Sequence, residues 1–305
     1  MKIFALNDIT LTSSTVAGSA YDEYDDEETY VIGNNVKVSL ASDGVTAVFP
    51  VKEYMSLADA NTDNYPPDDV INWIETGAEN RCKMFDNYTN TQTTDTKDIT
   101  VVLNANTFDA VGIFGIYGTG VTLKLIRNAV TIKEETFDLR TSIPASGWYS
   151  WLYNYYEYGI TKILWEFPRY ITGATLEITI TDRVNLAKCG MVVMGNFKTL
   201  GATLYDAKVG IDDYSVKDTD SLGRTYLNQG AYANTADVTL YLRNTTIDYV
   251  HQQLASIRGL PAMFNLNNLT TEYQAMMIYG YVGNFDITIP GPVTSKCNLE
   301  VKGLI

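Results

Sequence analysis

A chain of 305 residues, 46% hydrophobic and 19% charged, holds enough apolar material for more than one buried core, which excludes an intrinsically disordered protein. The formal charge is −14, and residues 1–100 carry most of it, with 18 acids against 6 bases. Such a field repels phosphate backbones, so no nucleic-acid partner is expected. No apolar run approaches the roughly 18 to 20 residues that a membrane helix needs, and the N-terminus lacks the apolar block of a signal peptide, so no membrane partner is expected.

In chain order, KIFALNDITLTSST reads as N-terminal strand. YDEYDDEETY, with acids at Asp22, Glu23, Asp25, Asp26, Glu27 and Glu28, reads as a solvated, mobile loop, with calcium or a basic partner as alternatives. DANTDNYPPDD sets Asp59, Asn61 and Asp63 at alternate positions, like the opening of a calcium loop. It lacks the glycine at the sixth place and has Val70 where the bidentate acid belongs, which excludes an EF-hand. Period-two alternation predicts strands in KDITVVLNA, GVTLKLIRNAVTIKEETFDL, ATLEITITD, ADVTLYLRN and NFDITIPG. Within the second, RNAV reads as a hairpin turn with Asn128 at positive φ.

GIFGIYGTGV invites a phosphate-loop reading, but it lacks the Gly-Lys-Ser/Thr ending and runs from strand to strand. Its glycines fit bends or crowded sites of a sandwich. GWYSWLYNYYEY is the densest aromatic stretch. As a strand it places Tyr149, Trp151, Tyr153 and Tyr155 on one face and Trp148, Tyr156 and Tyr158 on the other. Two aromatic faces suit packing or an interface, and a sugar-stacking platform is the alternative. TTIDYVHQQLASIRG predicts a helix, with Thr246 as N-cap, Ile247, Val250, Leu254 and Ile257 or Arg258 along one stripe, and Gly259 as the stop.

The fold class expected is mainly β. Residues 1–20 and 77–190 form a β-sandwich, residues 21–76 a small inserted β module, and residues 191–305 a C-terminal β-rich domain carrying one helix. Cys82, Cys189 and Cys297 are far apart and unpaired by any CxxC spacing, and read as buried hydrophobes of a protein folded in reducing cytoplasm. With His251 the only histidine, no metal site or cofactor is expected, and no GxSxG, HExxH or Cys/His pair assigns a catalytic residue. Paired carboxylates leave glycoside cleavage open, since that chemistry needs only two acids at the right separation.

Several stretches together resemble the small carbohydrate-binding-like modules of tailed-bacteriophage virion proteins. There a Tyr-x-x-Gly-Asp/Asn-x-Val strand precedes a Tyr-x-Ser/Ala-Leu strand, a proline-containing loop, a Trp and an exit of the form Asn-Arg-Trp-x-Met-Phe-Asp. Tyr30, Gly33, Asn34 and Val36 fit the first part, and Tyr54, Leu57, Pro66, Trp73, Asn80, Arg81, Met84, Phe85 and Asp86 fit the rest. Cys82 stands where the usual exit carries its Trp. The later segment through Gly201, Thr203, Tyr205, Gly210, Ile211, Asp213, Tyr214, Ser215, Lys217, Asp220 and Gly223 is similar too, as is the ending CNLEVKGLI. The resemblance implies a structural component of the virion tail, at the tail tip, baseplate or fibre attachment. Such a protein, made in the bacterial cytoplasm, would act through other virion proteins and a symmetric homo-oligomer. A glycan-binding receptor-recognition protein, with contacts from Tyr30, Tyr54, Tyr65 and Trp73 to a host surface glycan, is the alternative, and a tail glycosidase a third. GAENRCKMFD, residues 77–86, reads as the join between module and sandwich, where Arg81 and Lys83 would pair with Glu75, Glu79 or Asp86 to set the angle.

Overall fold

Ile99–Asn104, Gly120–Arg127 and Ala174–Thr181 alternate buried and half-buried side chains almost residue by residue, the mark of a sheet covered on one face. The computed structural model describes residues 1–142, 148, 152, 156–182, 186–220, 223–267 and 273–304. It places these three strands inside a five-stranded antiparallel sheet, in the order Val130–Asp138, Gly120–Arg127, Ala174–Thr181, Ile99–Asn104, Leu11–Ser14. A three-stranded sheet of Lys162–Glu166, Ala110–Phe114 and Met191–Gly195 faces it. Leu103, Leu123 and Leu176 meet Ile113, Trp165 and Val192 between the two.

Ala110–Phe114 and Met191–Gly195 are buried at every position, as expected of strands covered on both faces. Val111, Ile113, Val192 and Met194 turn into the sandwich core. Ala110, Phe114, Met191 and Val193 turn the other way, onto Phe4, Met263, Met277 and Tyr279 of the C-terminal sheet. That sheet has eight antiparallel strands. Seven run in the order Lys198–Thr199, Lys2–Ala5, Ala262–Asn265, Met277–Thr288, Thr294–Gly303, Tyr232–Arg243, Ala202–Thr203, and Lys208–Asp213 also pairs with Tyr232–Arg243. The helix Ile247–Ser256 packs Val250 and Leu254 into the apolar cluster on its far face, with Ile3, Leu240 and Phe264. Sheet, sheet, sheet and helix therefore stack in four layers. The fold is mainly β, as the strand patterns require.

The N-terminal segment serves both halves. Leu11–Ser14 pairs with Ile99–Asn104 in the sandwich, whereas Lys2–Ala5 pairs with Lys198–Thr199 and Ala262–Asn265 in the C-terminal sheet. Ile3 and Phe4 are both fully buried, on opposite faces, so KIFA lacks the polar side that would reveal its sheet from sequence. The sandwich also extends past residue 190, because Met191–Gly195 is one of its strands.

Local signals behaved unevenly. Asn128 and Ala129 both have positive φ (49° and 65°) between paired Arg127 and Val130, giving the expected two-residue hairpin turn. Gly115 has φ 64° and a Cβ there would lie 3.2 Å from Gly190 Cα, so its role is backbone crowding. Thr246 precedes the helix but does not cap it, since its hydroxyl donates backwards to the Arg243 carbonyl at 2.9 Å. Gly259, at φ 69°, follows the helix as expected. His251 is exposed and lies edge-on to the Phe285 ring.

Trp148 and Leu152 carry helical backbone, and Tyr156–Tyr158 is a strand paired with Arg140–Ser142. The single strand expected over 148–158 is therefore corrected. Trp148, Trp151, Leu152 and Tyr155 also fit helical spacing, so the aromatic pattern allowed either period. Tyr149, Trp151, Tyr153 and Tyr155 lie outside the described residues. Among the described residues no helix is long and apolar enough to cross a membrane.

Candidate functional site

Residues 21–76 are built on a three-stranded antiparallel sheet of Asn35–Leu40, Ala47–Ser56 and Trp73–Ala78. Val36 and Val38 point to one face, where Tyr30, Tyr54 and Trp73 close over them, each no more than 5% exposed. Trp73 Nε1 donates to the Asn64 carbonyl at 2.8 Å, and the Tyr65 hydroxyl donates to the Leu40 carbonyl at 2.8 Å. The Tyr30 oxygen accepts from the Asp25 amide at 2.9 Å. Tyr30 and Trp73 meet edge to face at 5.1 Å. The expected glycan contacts Tyr30, Tyr54 and Trp73 are thus the module's own core, and that assignment is corrected. A module this small has few large side chains and spends them on its interior.

Tyr65 is the exception, half-buried and shared with a surface cleft. This cleft, of about 440 Å³, is lined by Tyr24, Tyr65, Glu23, Asp25, Asp43 and Asp63 among others. The acidic run reaches it because the chain is tied down: Tyr24 N donates to the Lys37 carbonyl at 2.9 Å, and Ser39 N donates to Glu23 Oε1 at 2.6 Å. A run read as a mobile loop is therefore anchored along the module's first strand. Asp43 accepts from the Thr46 hydroxyl and from the amides of Thr46 and Val45, which together hold its carboxyl down at about 2. Burial, reinforced by Tyr30 and nearby acids, pushes the Tyr24 phenol up to about 12. At neutral pH the cleft thus offers the ionised Asp43 beside the Tyr24 phenol and the apolar ring faces of Tyr24 and Tyr65, a combination suited to hydroxyl-rich or cationic ligands and hostile to phosphates. Among the described residues no group of three or more His, Cys, Asp or Glu is placed to hold a metal ion. Tyr24 escaped sequence reasoning because six acids around it made the stretch look wholly solvated.

The join is held by one buried carboxylate. Glu79, 1% exposed, accepts from Arg81 Nε at 2.8 Å through one oxygen and from the Ser19 amide at 2.8 Å through the other. The entering and leaving chains are therefore pinned at a single group. Val51, Ala78 and Cys82 make a small apolar cluster beside it, and Phe49 packs on Phe85 at 5.3 Å. Of the expected pairings, Arg81 with Glu79 is present. Glu75 pairs instead with Lys52, and Lys83 makes no ion pair among the described residues. Burial pushes the Asp86 carboxyl up, against the Thr91 hydroxyl, the Tyr88 amide and the charge of Lys83, which pull it down. Cys82 is fully buried there, with its Sγ 3.4 Å from Glu79 Oε1.

A third feature lies on the C-terminal sheet. Beyond Lys208–Asp213 the chain continues as Val216–Thr219, turns, and returns through Thr225–Asn228 to Tyr232–Arg243 as one long β-ribbon. Every residue of the first, second and third of these strands is exposed. Val209, Ile211, Val216 and Leu227 lie on it, with Tyr214, Tyr226 and Tyr232. No protein-family model matches the chain, and no curated protein matches it.

Proposed function

We propose that the chain is a structural component of a tailed-phage virion, at the tail tip, baseplate or fibre attachment, working through protein–protein interfaces. The observation that carries this reading is the ribbon. Its first strand alternates apolar Val209 and Ile211 with Lys208, Gly210 and Asp212 as a covered strand does, and the other two carry Val216, Tyr226 and Leu227, yet all three stand in solvent on both faces. A two-stranded ribbon is marginal alone in water, and exposed apolar patches of this kind suit a surface that assembly covers. The four-layer body, with its apolar seam between the two halves, suits a rigid spacer. The motif resemblance through residues 30–86 and 201–223 supplies the virion context. Purified particles of the phage encoding the chain are expected to contain it at a fixed ratio to the tail proteins. Its absence from particles, while abundant in the infected-cell lysate, would overturn the reading.

One observation favours a second reading, glycan recognition, now through Tyr24 and Tyr65 with Asp43 rather than through the core aromatics. A glycan-array signal lost in Tyr24→Ala, with folding preserved, would support it. A flat array from folded wild-type protein would end it.

A further inference from the structure

Lys208–Asp213 is an edge strand: among the described residues it pairs with Tyr232–Arg243 on one side and with nothing on the other. Its register against that neighbour fixes its two faces. Lys208 lies opposite Asp237 and Gly210 opposite Thr235, on the sheet's open face, so Asp212 shares that face. Val209 lies opposite Ala236, a member of the helix-covered core, and Ile211 is on the same side. The apolar face of the sheet therefore runs on past its last covered strand, onto two side chains that are 49% and 59% exposed.

We propose that this edge pairs with the same edge of a second copy of the chain, antiparallel, about a two-fold axis through Gly210. The sequence Lys-Val-Gly-Ile-Asp is self-complementary in that register. Lys208 of each copy faces Asp212 of the other on the open face, and Val209 of each faces Ile211 of the other on the apolar face. Gly210 meets Gly210 at the axis, where neither has a side chain to crowd the approach. A two-fold normal to the sheet allows only registers that move by two residues, and both neighbours of this one are worse. A shift one way sets Asp206 against Asp212 and Lys208 against Gly210. The other way sets Val209 against Asp213 and Lys208 against Tyr214. Charge matching thus selects a single register and names the occupant as a second copy. Beyond the axis each ribbon runs beside residues 202–206 of the other copy, which brings cover to Tyr214 and Val216. From Lys208 to Tyr232 the ribbon is about 25 residues long, the scale of one side of a standard interface, roughly 20–30 residues.

The inference rests on the assembly reading, and its test is set in solution so that the two fail separately. The mass of the full chain is measured by sedimentation equilibrium. Wild type is expected to be a dimer. Lys208→Asp and Asp212→Lys alone each place like charges across the axis and are expected to raise the dimer Kd by roughly tenfold or more. The double variant Lys208→Asp/Asp212→Lys restores opposite charges between copies and is expected to return Kd to within about threefold of wild type. Within one chain these two positions do not face each other, so rescue cannot come from repaired folding. Circular dichroism confirms the folded state of each variant. A wild-type chain that stays monomeric to about 100 μM, or a double variant as weak as the singles, overturns the pairing. A monomeric chain that is nevertheless found in particles leaves the assembly reading standing.

Discussion

Gly195 sits directly against the Phe4 ring. A Cβ built on Gly195 would overlap Phe4 and lie 2.8 Å from the Ala5 carbonyl oxygen. The contact joins the last residue of a sandwich strand to a strand of the C-terminal sheet, so it measures how closely the two halves approach. Gly195→Ala is expected to lower unfolding free energy by about 1–3 kcal/mol through overpacking of this seam. Urea denaturation checks this, and an unchanged midpoint would mean that the halves separate easily.

The module's aromatic residues give a second prediction. Trp73→Ala removes the ring that closes the module core and leaves the Asn64 carbonyl without its donor. A loss of about 3–5 kcal/mol is expected, enough to open a module of this size. Limited proteolysis should then cut within residues 21–76 while the sandwich resists. A folded Trp73→Ala module that had lost only sugar binding would restore Trp73 as a contact residue.

The hairpin turn yields a stabilising change. Ala129 holds φ 65°, which costs an L-residue roughly 1 kcal/mol, and Asn-Gly is the favoured pair for this turn. Ala129→Gly is expected to raise stability by about 0.5–1 kcal/mol in thermal or urea unfolding. A loss of stability would show that the alanine methyl makes a contact worth more than the strain.

Alkaline pH supplies the fourth. Burial pushes the thiols of Cys82 and Cys297 up to about 11 and that of Cys189 up to about 12. All three folded values lie above the ordinary thiol value of 9.0. Between pH 9 and these values the unfolded chain therefore releases protons that the folded chain keeps. The thiol contribution is intact below pH 9 and is lost as pH rises through 11 to 12. Tyr24 and Tyr54, both raised to about 12, add to the same loss above pH 10. Urea midpoints should hold steady between pH 7 and 8, as far as these groups go. Above pH 9 they should fall, with the unfolding free energy dropping by on the order of 1 kcal/mol per thiol per pH unit. Iodoacetamide at pH 9 should label the thiols only when the protein unfolds, and rapid labelling of native protein would contradict their burial.

Part of this fold is legible in the sequence itself. Strands such as Ile99–Asn104 and Ala174–Thr181 announce themselves because one face is wet, and Asn128 announces its turn because few residues accept positive φ. Lys2–Ala5 was misplaced because both of its faces are buried and its alternation vanishes. Trp148 and Leu152 were misread because aromatic residues there satisfy two periods at once. Tyr30 and Tyr54 are legible as parts of a module but not as its interior, since a buried ring and a stacking ring look alike in sequence. The Val209 and Ile211 alternation has the same weakness. It says which side of a strand is apolar, but not whether the chain itself covers it.

The measurement that bears most directly on this protein's role is cryo-electron microscopy of the intact particle, asking what lies against residues 208–228. An assembly component should show this ribbon covered by a neighbouring subunit, with Val209, Ile211 and Leu227 removed from solvent. A particle that lacks the chain, or that holds it with the ribbon bare and the Tyr24–Tyr65 cleft pointing outward, would contradict the assembly role. The second of these would move the weight to glycan recognition.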